Sequence, residues 1–474
     1  MLLGAAGLLL ACSEDSDPDP MSNGGLGGAG GIAGGAAGMS GGAGGASGMI
    51  GGAGGIAGGA GGASGMTGGA GGMAGGMGGG GGMTGGMGGM AGGAPVVTEC
   101  DGMMLPPRAI ASATPHMIGP AAAGLPEYFP TDGWQSMAPD ALGLDPVKLD
   151  AAINFQTATS NTQAVFVVRH GYVAAEEYFG STTAATRHQS YSMAKSFSST
   201  LVGIAIEQGL LTGVDEKICT YYPEDWDCAD AADLRSKITI DHAMNISTGI
   251  MWNENWNSDA TGANDALNFN MLDTMLGRQA VEEPGTRMRY STGDPALLSG
   301  VFLGATGKSA YAYGQEVLFG PLGMSAIQWD SDLQGRTTTY AGIRGTATEY
   351  AKLGLLFLNK GMWDGEQIVP AEWVDKTTQG DKPCDDWYRY LWHQNPPARL
   401  GTQDPACDAL FCPPTAYADL PPDTFFAEGI NGQFIFIIPS ADMVVVRLAS
   451  DGAGAENWDE YATEFLKLIL DAVM

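Results

Sequence analysis

Ser192 and Lys195 are the residues whose types and spacing point most directly to chemistry. They lie in Tyr191-Ser192-Met193-Ala194-Lys195-Ser196-Phe197, and the Leu201, Val202, Ile204 and Ala205 that follow, with Gly209 as a stop, predict an amphipathic helix opening at Ser192. Residues three apart on a helix share a face, with Cβ atoms about 5 to 6 Å apart, so the hydroxyl and the amine can meet. The N–H groups and positive dipole end of a helix N-terminus favour a developing oxyanion. A lysine pushed into a dry cleft gives up its proton readily enough to accept that of the serine. Ser196, Ser198 and Ser199 have no lysine three residues on.

Other motif-like strings lack the context their chemistry needs. Gly38-Met39-Ser40-Gly41-Gly42 has the G-x-S-x-G spacing of a nucleophile elbow, but neither an apolar strand before it nor a helix after it. Gly304-Ala305-Thr306-Gly307-Lys308-Ser309 imitates a phosphate loop, yet its required first glycine is Phe302 and helical residues precede it, so it is expected to end a helix. His116, His170, His188, His242 and His393 are scattered and no CxxC accompanies them, so no metal site is expected. Cys100, Cys219, Cys228, Cys384, Cys407 and Cys412 form an even set that suggests disulfides outside the cytoplasm, with fifteen pairings open. The shortest loops join Cys219 to Cys228 and Cys407 to Cys412, leaving Cys100 with Cys384.

The elements that must position the serine begin with an apolar run, Ala164 to Arg169, a His170-Gly171 turn and a second strand, Tyr172 to Phe179. Gln433 to Ile438 and Met443 to Leu448 form another strand pair near the far end. A closing helix follows, with Tyr461, Phe465, Leu466, Ile469 and Leu470 at helical spacing. Strands at both ends with helices between them predict an α/β fold: an antiparallel sheet flanked by helices and interrupted by a mostly helical insertion, roughly 210–345.

With these pieces in place, the region from Ala164 to Ala449 resembles the serine hydrolases of the β-lactamase-like, penicillin-recognising superfamily. Within it the chain is most similar to the class C-like esterases and the 6-aminohexanoate-dimer hydrolases. Besides Ser192 to Lys195, the resemblance rests on Ile238-Thr239-Ile240-Asp241-His242 leading to Ser247-Thr248-Gly249, and on Arg289-Tyr290-Ser291-Thr292-Gly293-Asp294. It continues through Pro321-Leu322-Gly323-Met324, Leu353 to Leu358 and Ala427-Glu428-Gly429-Ile430-Asn431-Gly432-Gln433. The resemblance implies a β-lactamase/transpeptidase-like fold and an acyl-enzyme on Ser192, with Lys195 as base, Tyr290 as proton relay, and neither cofactor nor metal.

It further implies an oxyanion hole from the backbone N–H groups of Ser192 and Ile430. Two departures bear on substrate. Thr292 stands where relatives commonly carry the Asn of Y-x-N, and Ala427-Glu428-Gly429 stands where they carry K-T-G or H-x-G. Without that cationic side chain a substrate carboxylate gains nothing, which favours an ester or linear amide over a β-lactam. Thr292, Glu428, Gly429, Trp252 and Tyr390 are the expected substrate-binding residues. Asn253, Trp256, Tyr388 and Trp392 join the last two in loop-like stretches where relatives build cleft walls. A β-lactamase or D,D-carboxypeptidase is the alternative within this mechanism, and a non-catalytic surface-binding lipoprotein the alternative outside it.

Charge and composition bound the setting. Lys and Arg number 22 against 52 Asp and Glu, a net −30, which repels phosphate backbones and disfavours nucleic acid as a partner. Leu2 to Ala11 is an apolar run too short to span a bilayer, and Leu9-Leu10-Ala11-Cys12 resembles a bacterial lipobox. Residues 1–12 are thus expected to be a lipoprotein signal peptide whose Cys12 carries the lipid that tethers the protein to a membrane. The protein would then be extracytoplasmic, at the outer membrane or in the periplasm. Of the 75 glycines, 40 lie between Gly24 and Ala94, so 13–94 reads as an acidic and then Gly-rich tether, reaching on the order of 50 Å. The hydrolase domain is expected over 95–474.

Overall fold

A computed structural model of the chain describes residues 128–159, 161–254, 270–378, 388–395, 420–450 and 458–474. Cys12, the Gly-rich tract with Ser40, Trp256, and the cysteines at 100, 384, 407 and 412 lie outside the described residues. Among those described, no helix is long and apolar enough to cross a membrane.

In chain order the strands are Thr162–Arg169 (β1), Tyr172–Tyr178 (β2), His188–Gln189 (β3), Gln328–Trp329 (β4), Ile343–Gly345 (β5), Met362–Trp363 (β6) and Glu366–Gln367 (β7). Tyr388–Arg389 (β8), Trp392–Gln394 (β9), Phe425–Gly429 (β10), Gln433–Ile438 (β11) and Met443–Ala449 (β12) follow. The α-helices are Pro146–Thr159 (α1), Met193–Glu207 (α2), Ile240–Met244 (α3), Met271–Gly277 (α4), Leu298–Thr306 (α5), Ala310–Gly314 (α6), Ala347–Leu358 (α7), Ala371–Thr378 (α8) and Trp458–Asp471 (α9).

Seven strands form the main sheet in the order β2-β1-β12-β11-β10-β9-β8, with antiparallel neighbours throughout. The expected hairpin is present, its His170-Gly171 turn lying in the left-handed region at φ 52° and 79°. β1 thereby joins β12 from the opposite end of the chain, Phe166 facing Val446.

Why β1, β11 and β12 are apolar over most of their length follows from the layers. Alternate side chains of a strand point to opposite faces, and both faces are covered. Phe166, Val168, Ile435, Ile437, Val444 and Val446 enter the core shared with α2, α5 and α7. Val165, Val167, Phe434, Phe436, Met443 and Val445 enter a second core with Phe465, Leu466 and Ile469 of α9. Each such burial contributes about 1.5 to 3 kcal/mol. Between β3 and β5 run α3 to α6, a mostly helical stretch stapled by the Cys219–Cys228 disulfide. Gly307, at φ 69°, caps α5 as a helix end, so the phosphate-loop look-alike is a turn.

Helix α2 is buried from Met193 to Ala205, as expected of a helix sandwiched between layers. Two of its buried hydroxyls donate to carbonyls beyond the helix: Ser196 Oγ to Leu391 O at 2.7 Å and Ser198 Oγ to Thr339 O at 2.6 Å.

Candidate active site

The approach to Ser192 is held by pairing with Ile343 of β5, 153 residues further along the chain. Ser190 N donates to Ile343 O at 2.7 Å, and Ile343 N donates back to Ser190 Oγ at 3.2 Å. Tyr191 then adopts φ 47°, a left-handed conformation costing a non-glycine residue on the order of 1 to 3 kcal/mol. That sharp turn delivers Ser192 as the N-cap of α2.

One turn along the helix, Lys195 Nζ donates to Ser192 Oγ at 2.9 Å and to Tyr340 O at 3.1 Å. From the helical insertion, the Tyr290 hydroxyl donates to the same Ser192 Oγ at 3.0 Å. Lys195 is 1% exposed. Burial lowers its pKa to about 8, with the negative field of Glu254 pulling the other way. Burial, then the field of Glu254, drives the Tyr290 phenol well above its ordinary range. Burial thus favours the neutral amine of Lys195 and the protonated phenol of Tyr290.

Thr292 is committed elsewhere than expected. Its N–H donates to Glu254 Oε2 at 3.0 Å and its hydroxyl to Glu254 Oε1. The Trp252 indole N–H donates to the same carboxylate. Glu254 therefore clamps the Trp252 segment to the Tyr290–Thr292 segment, a role the sequence reading missed. The two stretches are 38 residues apart at Thr292 and Glu254, and a single acid between tryptophans carries no spacing signal. Just beyond, Asp294 accepts from Ser291 Oγ at 2.8 Å and from Thr248 N at 3.1 Å. Burial pushes its carboxyl up to about 7.

The opposite wall is β10. A Cβ on Gly429 would sit 2.2 Å from Ser190 O and 3.2 Å from Tyr191 Cβ, so only a glycine lets the strand lie against the turn that delivers the nucleophile. Ile430 follows at once. Among the described residues, neither the N–H of Ser192 nor that of Ile430 is taken up by a turn or loop carbonyl. Glu428 Oε2 is 3.6 Å from His393 Nδ1, beyond hydrogen-bonding distance. Burial, aided by Lys195, lowers His393 to about 3, so the imidazole is neutral beside that carboxylate.

The aromatic walls differ from expectation. Tyr388 and Trp392 lie on strands, buried, with Tyr388 edge-on to Tyr290 at 6.3 Å and to His393 at 4.8 Å. Tyr390 is not a cleft wall. Its ring packs on Trp373 at 5.5 Å and under Lys376 at 5.0 Å, and its hydroxyl bonds Asp241 Oδ1 at 2.5 Å. The left-handed Tyr390 and Leu391, at φ 44° and 67°, form a tight β8–β9 turn that aims this ring at α3 and α8. Trp252 is 4% exposed and covered by the Arg278 guanidinium at 5.4 Å, so it is a buried support rather than an open surface. Among the described residues no three His, Cys, Asp or Glu side chains converge as metal ligands.

A sequence model of the family described as Beta-lactamase matches residues 156–465. The chain belongs to the Beta-lactamase family. As a member it is an enzyme of the serine-hydrolase kind, with a large antiparallel sheet flanked by helices. Similar solved structures share the fold of this family at low identity. A protein described as a 6-aminohexanoate-dimer hydrolase from Bacillus anthracis matches with a TM-score of 0.53 at 17% identity, covering 77% of this chain and 91% of that one. EstCE1, a hydrolase with promiscuous acyltransferase activity, matches at 0.52 and 17%, covering 69% and 97%. The octameric penicillin-binding protein homologue from Pyrococcus abyssi matches at 0.51 and 19%, covering 69% and 78%.

Proposed function

We propose that the protein hydrolyses an ester or linear amide through an acyl-enzyme on Ser192. The observation that carries this reading is the convergence on Ser192 Oγ of Lys195 Nζ at 2.9 Å and the Tyr290 hydroxyl at 3.0 Å. Lys195, neutral, takes the hydroxyl proton as Oγ bonds to the substrate carbonyl carbon. The oxyanion is received by the N–H groups of Ser192 and Ile430. As the carbonyl carbon's bond to nitrogen or oxygen breaks, Tyr290 gives its proton to the departing atom, and the Lys195 ammonium, which holds the proton taken from Ser192, reprotonates the phenolate. Water then attacks the acyl carbon with the roles reversed, releasing the carboxylic acid and restoring Ser192.

The preference for esters and linear amides over β-lactams rests on the third motif, where Ala427 and Glu428 replace a cation that would meet a substrate carboxylate. Neighbours described as a 6-aminohexanoate-dimer hydrolase and as EstCE1 support the same direction. A fluorophosphonate probe should label the protein and spare Ser192→Ala; equal labelling removes Ser192 from the mechanism. Initial rates on short p-nitrophenyl esters, aminohexanoate dimers and a chromogenic cephalosporin rank the substrate classes. A faster cephalosporin reaction favours the β-lactamase alternative, and no labelling or turnover at all favours a binding lipoprotein. We also propose lipid anchoring through Cys12, at the end of a tether over 13–94. Metabolic incorporation of an alkyne fatty acid should disappear in Cys12→Ala.

A further inference from the structure

Arg447 presents a cation where a core residue is expected. Its β12 neighbours Met443 and Val445, on the same face, belong to the apolar core beneath α1 and α9, and Arg447 itself is 1% exposed. Among the described residues no carboxylate pairs with it. Its guanidinium instead donates to two neutral oxygens, Nε to Gln156 Oε1 at 2.7 Å and Nη1 to Gly432 O at 2.5 Å. Burying a charge without a counter-ion carries a large desolvation cost, so the fold retains here an interaction that an apolar side chain would not supply.

The acceptor tells what that interaction does. Gly432 closes the turn between β10 and β11, whose last ladder pair is Gly429 with Gln433. Asn431 and Gly432 are both left-handed, at φ 68° and 84°. A Cβ on Gly432 would lie 2.0 Å from Arg447 Nη1, so the guanidinium presses directly on the turn backbone. Two residues before that carbonyl is Ile430, which directly follows Gly429, the residue whose backbone lies against the Ser190–Tyr191 turn.

We propose that Arg447 is a positioning residue that fixes the Gly432 carbonyl from behind the sheet and so holds the Ile430 N–H in register with the oxyanion. This rests on the acyl-enzyme reading above. Gln156 anchors the arrangement from α1 and also accepts from Thr162 Oγ1 at 2.8 Å, tying the guanidinium to β1.

The test compares a p-nitrophenyl ester with its thiono analogue in wild type, Arg447→Met, Arg447→Lys and Gly432→Ala, with thermal unfolding measured alongside. Loss of one oxyanion donor lowers kcat by about 10²- to 10³-fold, so a displaced one should lower it by about 10- to 100-fold in Arg447→Met, with KM within about threefold. Sulfur accepts hydrogen bonds weakly, so the oxo-to-thiono rate ratio should fall in Arg447→Met and in Gly432→Ala, and recover in part in Arg447→Lys. A ratio unchanged in folded variants, or a kcat that drops only with the folded fraction, overturns the proposal. Should Arg447→Met fail to fold, the ratio in Arg447→Lys decides, because it keeps the buried charge but loses the forked reach to both acceptors. Wild-type protein that neither labels nor turns over an ester defeats the acyl-enzyme reading itself, whereas active wild type with unchanged ratios defeats only the role of Arg447.

Discussion

The two sides of the cleft are built differently. One side is a single helical turn, with Ser192 and Lys195 three residues apart on α2 and their side chains 2.9 Å apart. The other is assembled from the Glu254 segment, the Tyr290–Thr292 segment and the end of β10, which meet only because the fold brings them together. On the first side the chemistry is fixed by covalent spacing. On the second it is fixed by long-range packing, and charge can change there without moving the nucleophile. Under the proposed mechanism this is a division of labour: α2 would supply the reacting pair, and the opposite wall would tune the proton balance and the choice of substrate.

Substitutions on the α2 side should cause the largest losses. Ser192→Ala and Lys195→Met should each lower kcat by at least about 10³-fold while the melting temperature changes little, because members of such a unit fail together. A residual rate near that of wild type in Lys195→Met would move the base to the other wall. Next comes Tyr290→Phe, expected to lose about 10²-fold or more in kcat, the scale of one general acid. The loss should be smaller for p-nitrophenyl esters, whose leaving group needs no proton, than for amides, and equal losses for both would deny Tyr290 the acid role.

The third effect is one of preference. Glu428→Lys should raise the ratio of carboxylate-bearing β-lactam to neutral-ester turnover by about tenfold, equivalent to roughly 1.4 kcal/mol of discrimination, and an unmoved ratio would remove Glu428 from the substrate's path. The smallest effect is a shift along the pH axis. The wild-type kcat/KM should rise through about pH 8 as Lys195 loses its proton. Glu254 favours the ammonium form. Glu254→Gln should therefore move that limb to lower pH, raising the fraction of active amine at neutral pH. A limb that stays in place, or moves to higher pH, would show that the clamp matters for geometry alone.

The same division explains what could be read from the chain before its fold. Ser192 with Lys195, the β1–β2 hairpin and the amphipathic α9 are patterns within a few residues, so periodicity and turn chemistry expose them. The family's motif order, in turn, made Tyr290 and Gly429 legible. Glu254 was not, because its partners Thr292 and Trp252 are an acceptor's neighbours in space and carry no shared period. Tyr390 misled for the opposite reason. Its type and its place in a polar stretch suited a cleft wall, but consecutive left-handed residues turn its ring toward Trp373 and Asp241. Thr292 kept its motif position and changed its job, since a hydroxyl can serve a nearby carboxylate as readily as a lysine. Arg447 was invisible, because a basic residue at one position of a strand says nothing of whether water or a carbonyl receives it.

The hydroxyls of Ser196 and Ser198 have a mechanical corollary. One grips the tip of the β8–β9 hairpin and the other grips Thr339 beside β5, so the shaft that bears the nucleophile is bolted to both halves of the scaffold. A hinge across it would have to break these buried bonds, so movement of this helix against either half carries their cost. On the acyl-enzyme reading, a change in the acyl group accepted would come by exchanging side chains around the rim, and the chemistry at the centre could be inherited unchanged while the diet of the enzyme drifts.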